Sequence, residues 1–430
     1  MVDLAVIGGG AAGLAAAVAA SALGDRVIIL EAGNAIGKKI LASGNGRCNL
    51  LNTGDPRYYG DTDFAREIIR RCDAEAQRQF WHGIGLLTAE EAENRVYPCT
   101  FHSSTVLQVL KTALEMNAVK ISLNSPVQHC CVMPDRTFQI QGQGTAWQAR
   151  RILIATGGPA GKKAGDESFG YRMLQETGHR IHALRPALVP LNTDAKSISG
   201  LSGIRIRCKV SLMDENRQCV HSERGELLFT AYGVSGICVM QCARFVHDRK
   251  YHLEIDLADR LGLTDTEIRE ELACRKKRFD SLSPEFLLMG ILHPKLAYAV
   301  MKQAGVKLEG EPMGDLDDDQ IDRVEYVLRH YRADIHSTRD MTDAQVTSGG
   351  AECAGFRTDN MESRIIPGLH AAGEILNVDG DCGGFNLMFA FGSGILAGLN
   401  GRKPVGYIRR KEREFNEKRR LEKTGNPENR

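Results

Sequence analysis

The sequence predicts an α/β protein in which a Rossmann-type dinucleotide-binding domain is interrupted by an inserted β-barrel and helical substrate domain. Three observations carry that expectation. Residues 3–31 read as strand, GxGxxG turn, helix and second strand ending in an acid. Two later segments, 151–158 and 368–397, each run an apolar strand into a turn of small residues. Between them, 188–345 is too long and too regular to be a loop.

The first unit is Asp3 to Ile7 as a strand, Gly8 to Gly13 as the turn, an Ala-rich helix to about Leu23, and Arg26 to Leu30 as the next strand, closed by Glu31. Gly8 permits the tight turn, Gly10 lets backbone approach a pyrophosphate, and Gly13 lets helix and strand pack closely. Phosphate then rests on the helix N-terminus. Glu31 is placed to accept from ribose hydroxyls, and its charge opposes a 2′-phosphate. The same stretch, Met1 to Gly24, superficially reads as a signal peptide or a membrane span. Asp3 in place of a basic flank, and glycines at 8, 9, 10 and 13, favour a buried strand-turn-helix.

Composition narrows the class. The chain has 430 residues, 43% apolar and 25% charged, the balance of a folded globular protein of two or three domains. Its formal charge of +1 leaves no chain-wide field to steer nucleic acid or an anionic membrane, so neither is an expected partner. The basic excess is confined to 402–430, and there Glu412, Glu414, Glu417 and Glu422 interleave with the cations at helix-pair spacing. Twelve cysteines with no CxxC spacing fit reduced thiols, hence a cytoplasmic protein, better than a disulfide framework.

The first unit alone does not decide between FAD and NAD, and three further segments bear on it. Lys38 to Asn49 is a polar, glycine-broken loop suited to wrapping an anion. Arg151 to Gly158 is a buried strand entering a small-residue turn, and Gly368 to Glu374 followed by Gly383 and Gly384 leads into a helix from Leu387 to Ala397. SGNGRCN at 43–49, ATGG at 155–158, GELLFT at 225–230, VTSGG at 346–350, MESR at 361–364 and AAGEILNVDGDCGGFNL at 371–387 stand in this order. Over residues 1–400 they resemble the flavoprotein family of bacterial aminoacetone oxidases and BaiN-like bile-acid reductases.

That resemblance implies noncovalent FAD and an FAD-dependent oxidoreductase. It implies cofactor contacts from Gly8, Gly10, Ala12, Gly13, Glu31, Ala32, Lys39, Ser43, Gly44, Asn45, Gly46, Arg47, Cys48, Asn49, Val127, Ala155, Thr156, Gly157 and Gly158. In the C-terminal part it adds Gly373, Glu374, Asp379, Gly384, Phe385, Asn386, Leu387 and Met388. The sequence departs from relatives at Phe385 and Met388 to Phe391, where a Tyr and a more polar helix are usual. The expected division is 1–187 and 346–401 for the FAD domain, 188–262 for the barrel, 263–345 for a helical cap and 402–430 for a charged tail.

Within the insertion, Gly203 to Val210 and Tyr251 to Asp256 alternate as strands do. Thr264-Asp265-Thr266-Glu267 is a capping box, and Ser283-Pro284 and His293-Pro294 place proline at first turns. No second strand-GxGxxG-helix follows, so NAD(P)H enters only as a transient donor, or else the organic substrate reduces the flavin itself. Phe229, Thr230 and Ser235 are the candidate substrate-pocket residues, in a cleft between the FAD domain and the insertion. The charge runs Asp315 to Asp319 and Arg275 to Arg278 read as solvated faces.

Asn386 and Gly384 are expected at the flavin pyrimidine, where a helix N-terminus biases reduction. Arg47 faces pyrophosphate or substrate, or is satisfied by carbonyls of its own loop. Cys48 has no CxxC partner and is read as packing. His370 and His336 are read as structural. Cys130 and Cys131 point to opposite faces of a strand, and Cys238 and Cys242 find no partner pair, so no metal is assigned. Two classes stay open: an enzyme oxidising a small amine or reducing a conjugated C=C at the expense of NAD(P)H, and a flavin redox sensor whose basic tail contacts nucleic acid.

Overall fold

The computed structural model describes residues 1–162, 169–247, 249–308 and 312–401. The charged tail expected at 402–430 lies outside them. The chain divides into two compact units, Met1–Arg185 with the segment from Val346, and Pro186–Gln345.

The first unit is built on one sheet in the order 120–122, 27–30, 2–7, 146–154, 138–142, 127–132, with Leu369–Ala371 also pairing the 146–154 strand. The central strands run parallel, whereas Val127–Val132, Phe138–Gly142 and Ala146–Ile154 form an antiparallel meander. Strand Ala146–Ile154 changes character along its length. Its first half is largely exposed and its second half, between Val2–Ile7 and Leu369–Ala371, is buried.

Helix Ala11–Ser21 is buried at every position from Ala12 onward. Such all-round burial requires partners on every side. Helix Phe385–Leu399 supplies one: a Cβ placed on Gly394 would lie 2.3 Å from the Ala12 carbonyl oxygen, and one on Gly398 2.3 Å from that of Ala16. Small residues on both helices thus permit backbone-to-backbone packing.

Two helices follow, Thr62–Arg71 and Ala74–Gly83, the second capped by Asp73 accepting from the Ala76 N–H at 2.8 Å. It stops at Gly83-Ile84-Gly85. Thr88–Glu91 is instead a strand in a small sheet with Arg95–Pro98 and Leu51–Asn52.

The second unit is a closed barrel in the order 191–193, 233–235, 219–229, 205–214, 251–256, 331–338, all neighbours antiparallel. The sixth strand, Tyr331–Thr338, comes after the helices, so the helical segment is an excursion within the barrel and not a region following it. Its alternation, with Tyr331, Ala333 and Ile335 buried and the residues between exposed, is that of a strand. Helix Asp265–Arg278 carries the predicted capping box. Pro294 opens helix Pro294–Gln303, while Ser283-Pro284 opens only a single turn, Pro284–Leu287. The acidic run is more than a solvated face: Asp317 caps helix Asp318–Arg329, with Gln320 completing a second capping box.

His370 is fully buried, its Nδ1 2.9 Å from the Asn360 carbonyl oxygen, and burial pulls its pKa down to about 4. The folded protein therefore resists a proton that the unfolded chain accepts near pH 6.5. Stability is expected to be full above that value and to fall as pH drops from about 6.5 toward 4, by up to about 3 kcal/mol from this group. Thermal melts of wild type and His370→Gln across this range test it. A wild-type slope no steeper than the variant's would contradict the assignment.

Candidate active site

Strand Val2–Ile7 ends at Gly8, whose φ of 108° excludes other residues. A Cβ there would lie 2.4 Å from the Ala155 carbonyl oxygen, and one on Gly13 only 2.0 Å from that of Gly8. Both glycines are demanded by the protein's own packing. Gly10 is different. Its φ of −88° suits any residue, and a Cβ there meets nothing within 4 Å. Open space beside a backbone turn, at the start of a helix with no side-chain cap and no acid in its first turn, is a cradle for an anion.

Glu31 is held at both oxygens, Oε2 accepting from Gly9 N–H and Oε1 from Gly33 N–H, each at 2.7 Å. Two backbone donors fix the carboxylate and leave acceptor capacity for ribose hydroxyls. Ala32 beside it is exposed. Lys39 and Glu374, 335 residues apart, meet at 2.8 Å. Glu374 also accepts the Thr347 N–H at 2.8 Å, and a Cβ on Gly158 would crowd Thr347 Oγ1 to 2.3 Å. Thr347 lies in the VTSGG motif at 346–350, which by itself does not show this contact. Its role emerges only where the Val346–Ala351 strand meets the 155–158 turn. Ala155 continues the pairing of the returning strand through its N–H to Ile7, and Gly157 turns with φ 67° beside Glu374.

The family model described as the HI0933-like protein Rossmann domain matches residues 2–400. The chain belongs to that family. Its members are FAD-dependent oxidoreductases, as the motif order implied, and this chain is such an enzyme. It is 32% identical over 403 residues to a 3-dehydro-bile acid delta(4,6)-reductase of Clostridium scindens, covering 91% of this chain and 97% of that one. It is 28% identical to a ribosomal RNA dihydrouridine synthase of Haemophilus influenzae, with 92% and 97% covered, and 26% identical to that of Escherichia coli, with 91% and 96%.

In this HI0933-like chain the other residues expected at the cofactor gather around two further features. In the 43–49 loop, Gly44, Asn45, Gly46 and Cys48 all adopt left-handed φ between 54° and 82°. Ser43 Oγ donates to the Ile40 carbonyl, and Asn49 packs on Gly384, where a Cβ would lie 2.8 Å from Asn49 Oδ1. Gly384, with φ 105°, starts helix Phe385–Leu399 and no side chain caps it. Phe385 and Met388 are buried, and Leu387 is partly so. Gly373 donates its N–H to Ser393 Oγ at 3.0 Å and has Ala12 against it. Asp379 is buried in the short strand Val378–Gly380, and Thr156 follows the returning strand. The family's FAD fits this chain at Gly10, Glu31 and the uncapped start of the C-terminal helix.

Several expectations are revised. Asn386 does not offer its side-chain amide to a ligand: Oδ1 accepts from Gly380 N–H at 2.8 Å and Nδ2 donates to the Gly380 carbonyl at 2.7 Å, closing the turn before the helix. Arg47 uses neither its own loop's carbonyls nor the glycine turn but lies over Tyr97 and Phe101 and pairs with Glu91. Cys48 is fully buried and burial pushes its thiol up to about 11, so it stays protonated and inert. Val127 is buried on the outermost strand of the meander. Phe229 is a barrel core residue, 0% exposed and edge-on to Tyr331 at 6.5 Å, so its ring cannot meet a substrate. Thr230 and Ser235 stay partly exposed at the same hairpin, where Thr230 Oγ1 donates to the Gly233 carbonyl at 3.0 Å. Among the described residues no group of three or more His, Cys, Asp or Glu is arranged to hold a metal, and no helix is long and apolar enough to cross a membrane.

Proposed function

We propose that this protein reduces a carbon–carbon double bond conjugated to a carbonyl, with NAD(P)H as the electron source and bound FAD as the carrier. One observation carries the reading. The relatives matched over nine-tenths or more of both chains are named for a delta(4,6)-reduction of a 3-dehydro-bile acid and for making dihydrouridine, and both saturate a C=C next to a carbonyl. The substrate class is thus an α,β-unsaturated carbonyl compound. Oxidation of a small amine has no such support.

FAD supplies hydride transfer at N5. The protein's part is to hold and orient. Gly10 and the start of helix Ala11–Ser21 would hold the pyrophosphate, Glu31 would accept from the adenosine ribose, and the uncapped start of helix Phe385–Leu399 would favour charge on the flavin pyrimidine. Net reduction would place a hydride, drawn ultimately from NAD(P)H as it becomes NAD(P)⁺, on the carbon β to the carbonyl, with charge passing to the carbonyl oxygen, and a solvent proton on the α carbon as the C=O re-forms. All twelve cysteines are free, which supports a cytoplasmic setting.

The test is anaerobic. Holoenzyme is reduced with NADH or NADPH and then mixed with a 3-oxo-Δ4,6 steroid, a uridine-containing ribosomal RNA fragment, or oxygenated buffer, while the visible flavin band is followed. Recovery of the band with the steroid at least about tenfold faster than with oxygen is the expected result. Recovery with RNA alone selects the second reading, uridine as substrate, which the two dihydrouridine synthases favour. Recovery with oxygen alone, and bleaching by aminoacetone instead of NAD(P)H, would overturn both.

A further inference from the structure

Arg47 lies over two aromatic rings in an arrangement that the cofactor motifs do not account for. Its guanidinium carbon lies 4.3 Å from the centre of the Tyr97 ring and 4.7 Å from that of Phe101, and the rings are 5.9 Å apart, tilted by 46°. Nη2 donates to Glu91 Oε2 at 2.7 Å, and both side chains are 40% exposed. Among the described residues Nε and Nη1 donate to no protein group. With the side chain 40% exposed, these two donors are left for a ligand or solvent.

The stack is held at a conformational cost. Phe101 has φ 54° and Cys48, next to Arg47, has φ 59°. Bulky residues in that region cost of order 1–3 kcal/mol each and persist where the surroundings over-determine them. The stack is also tied to the turn before helix Phe385–Leu399. Asn49, two residues from Arg47, packs on Gly384, and Asn52 Nδ2 donates to the Gly383 carbonyl at 2.9 Å. Tyr97 belongs to the strand that pairs with Leu51–Asn52.

Resting on the reductase reading above, we propose that Arg47 binds the carbonyl oxygen of the conjugated substrate. Hydride addition at the β carbon places negative charge on that oxygen. A permanently cationic group, held by two rings and Glu91 and with two donors that no described protein group takes, stabilises charge that develops there without having to reorganise. Glu91, Tyr97 and Phe101 are positioning residues, since they reach the substrate only through Arg47.

The experiment uses FAD-loaded enzyme in four forms: wild type, Arg47→Lys, Arg47→Met and Glu91→Gln. The probe is 4-chlorophenolate, whose anionic oxygen mimics the enolate, read by the charge-transfer band it gives with oxidised flavin. Steady-state reduction of the 3-oxo-Δ4,6 steroid and the FAD dissociation rate are measured alongside. Arg47→Met is expected to weaken the probe and lower kcat/KM by about 10²–10³-fold while FAD dissociation changes less than about twofold. Arg47→Lys restores part of the loss, and Glu91→Gln raises KM more than it lowers kcat. An Arg47→Met enzyme that binds the probe and reduces the steroid like wild type overturns the inference and leaves the reductase reading standing. One that sheds FAD overturns it too, making Arg47 a cofactor ligand. Arg47-dependent phenolate binding in a wild type that reduces no conjugated carbonyl upholds the anion site and overturns the reading. A wild type without a phenolate band overturns the inference outright.

Discussion

Gly10→Val is expected to fold normally and lose FAD. The backbone at Gly10 has φ −88° and a Cβ meets no protein atom within 4 Å, so neither strain nor clash opposes folding. The side chain instead fills the space in which a pyrophosphate approaches the first N–H groups of helix Ala11–Ser21. Affinity should fall by at least about 100-fold, roughly 2.7 kcal/mol. Gly13→Ala is the contrasting variant. Its Cβ would sit 2.0 Å from the Gly8 carbonyl oxygen, and overpacking of this kind costs about 1–3 kcal/mol or more of stability. Melting temperature of the apoprotein and fluorescence titration with FAD separate the two. A Gly10→Val protein that binds FAD like wild type would remove the phosphate assignment. Equal thermal destabilisation of both variants would show that Gly10 is a packing residue after all.

What the sequence showed was local. The order of strand, glycines, helix and acid in 3–31 fixes its own geometry through steric demands within a few residues, and the structure contains it whole. The same is true of the capping box at Thr264 and Glu267 and of the alternation in Arg205–Asp214. Contacts set by chain reversal were not legible. Lys39 and Glu374 each carried a motif, yet nothing in either motif reveals that they pair. Arg47 finds Tyr97 and Phe101 only because Leu51–Asn52 and Arg95–Pro98 become neighbouring strands. Phe229 illustrates the opposite error: the conspicuous GELLFT motif placed it in a pocket, whereas period-2 alternation turns its ring into the closed barrel. The sixth barrel strand was misassigned because it lies behind three helices in sequence, and closure of a sheet is a property of distant strands.

Excising 189–344 should leave an FAD-binding unit that no longer turns over substrate. The two strands that lead into and out of the insertion, Ile181–Ala187 and Val346–Ala351, pair with one another, and Glu352 N–H donates to the Arg180 carbonyl at 2.9 Å. Gln345 N–H donates to the Leu188 carbonyl at 3.2 Å, so the ends to be joined are already within one hydrogen bond. An Asn-Gly turn suffices to close such a hairpin. Among the described residues, the apolar core around the main sheet draws on residues 4–174 and 351–399. Every residue tied above to pyrophosphate, ribose or flavin remains. FAD affinity is expected within about tenfold of wild type, whereas kcat/KM for the conjugated carbonyl should fall by at least about 100-fold, the scale on which substrate positioning contributes. Circular dichroism, FAD titration and steady-state assays of the shortened chain decide it. A folded product that cannot hold FAD would make the inserted unit a cofactor clamp, and one that retains full turnover would confine substrate selection to the residues around Arg47.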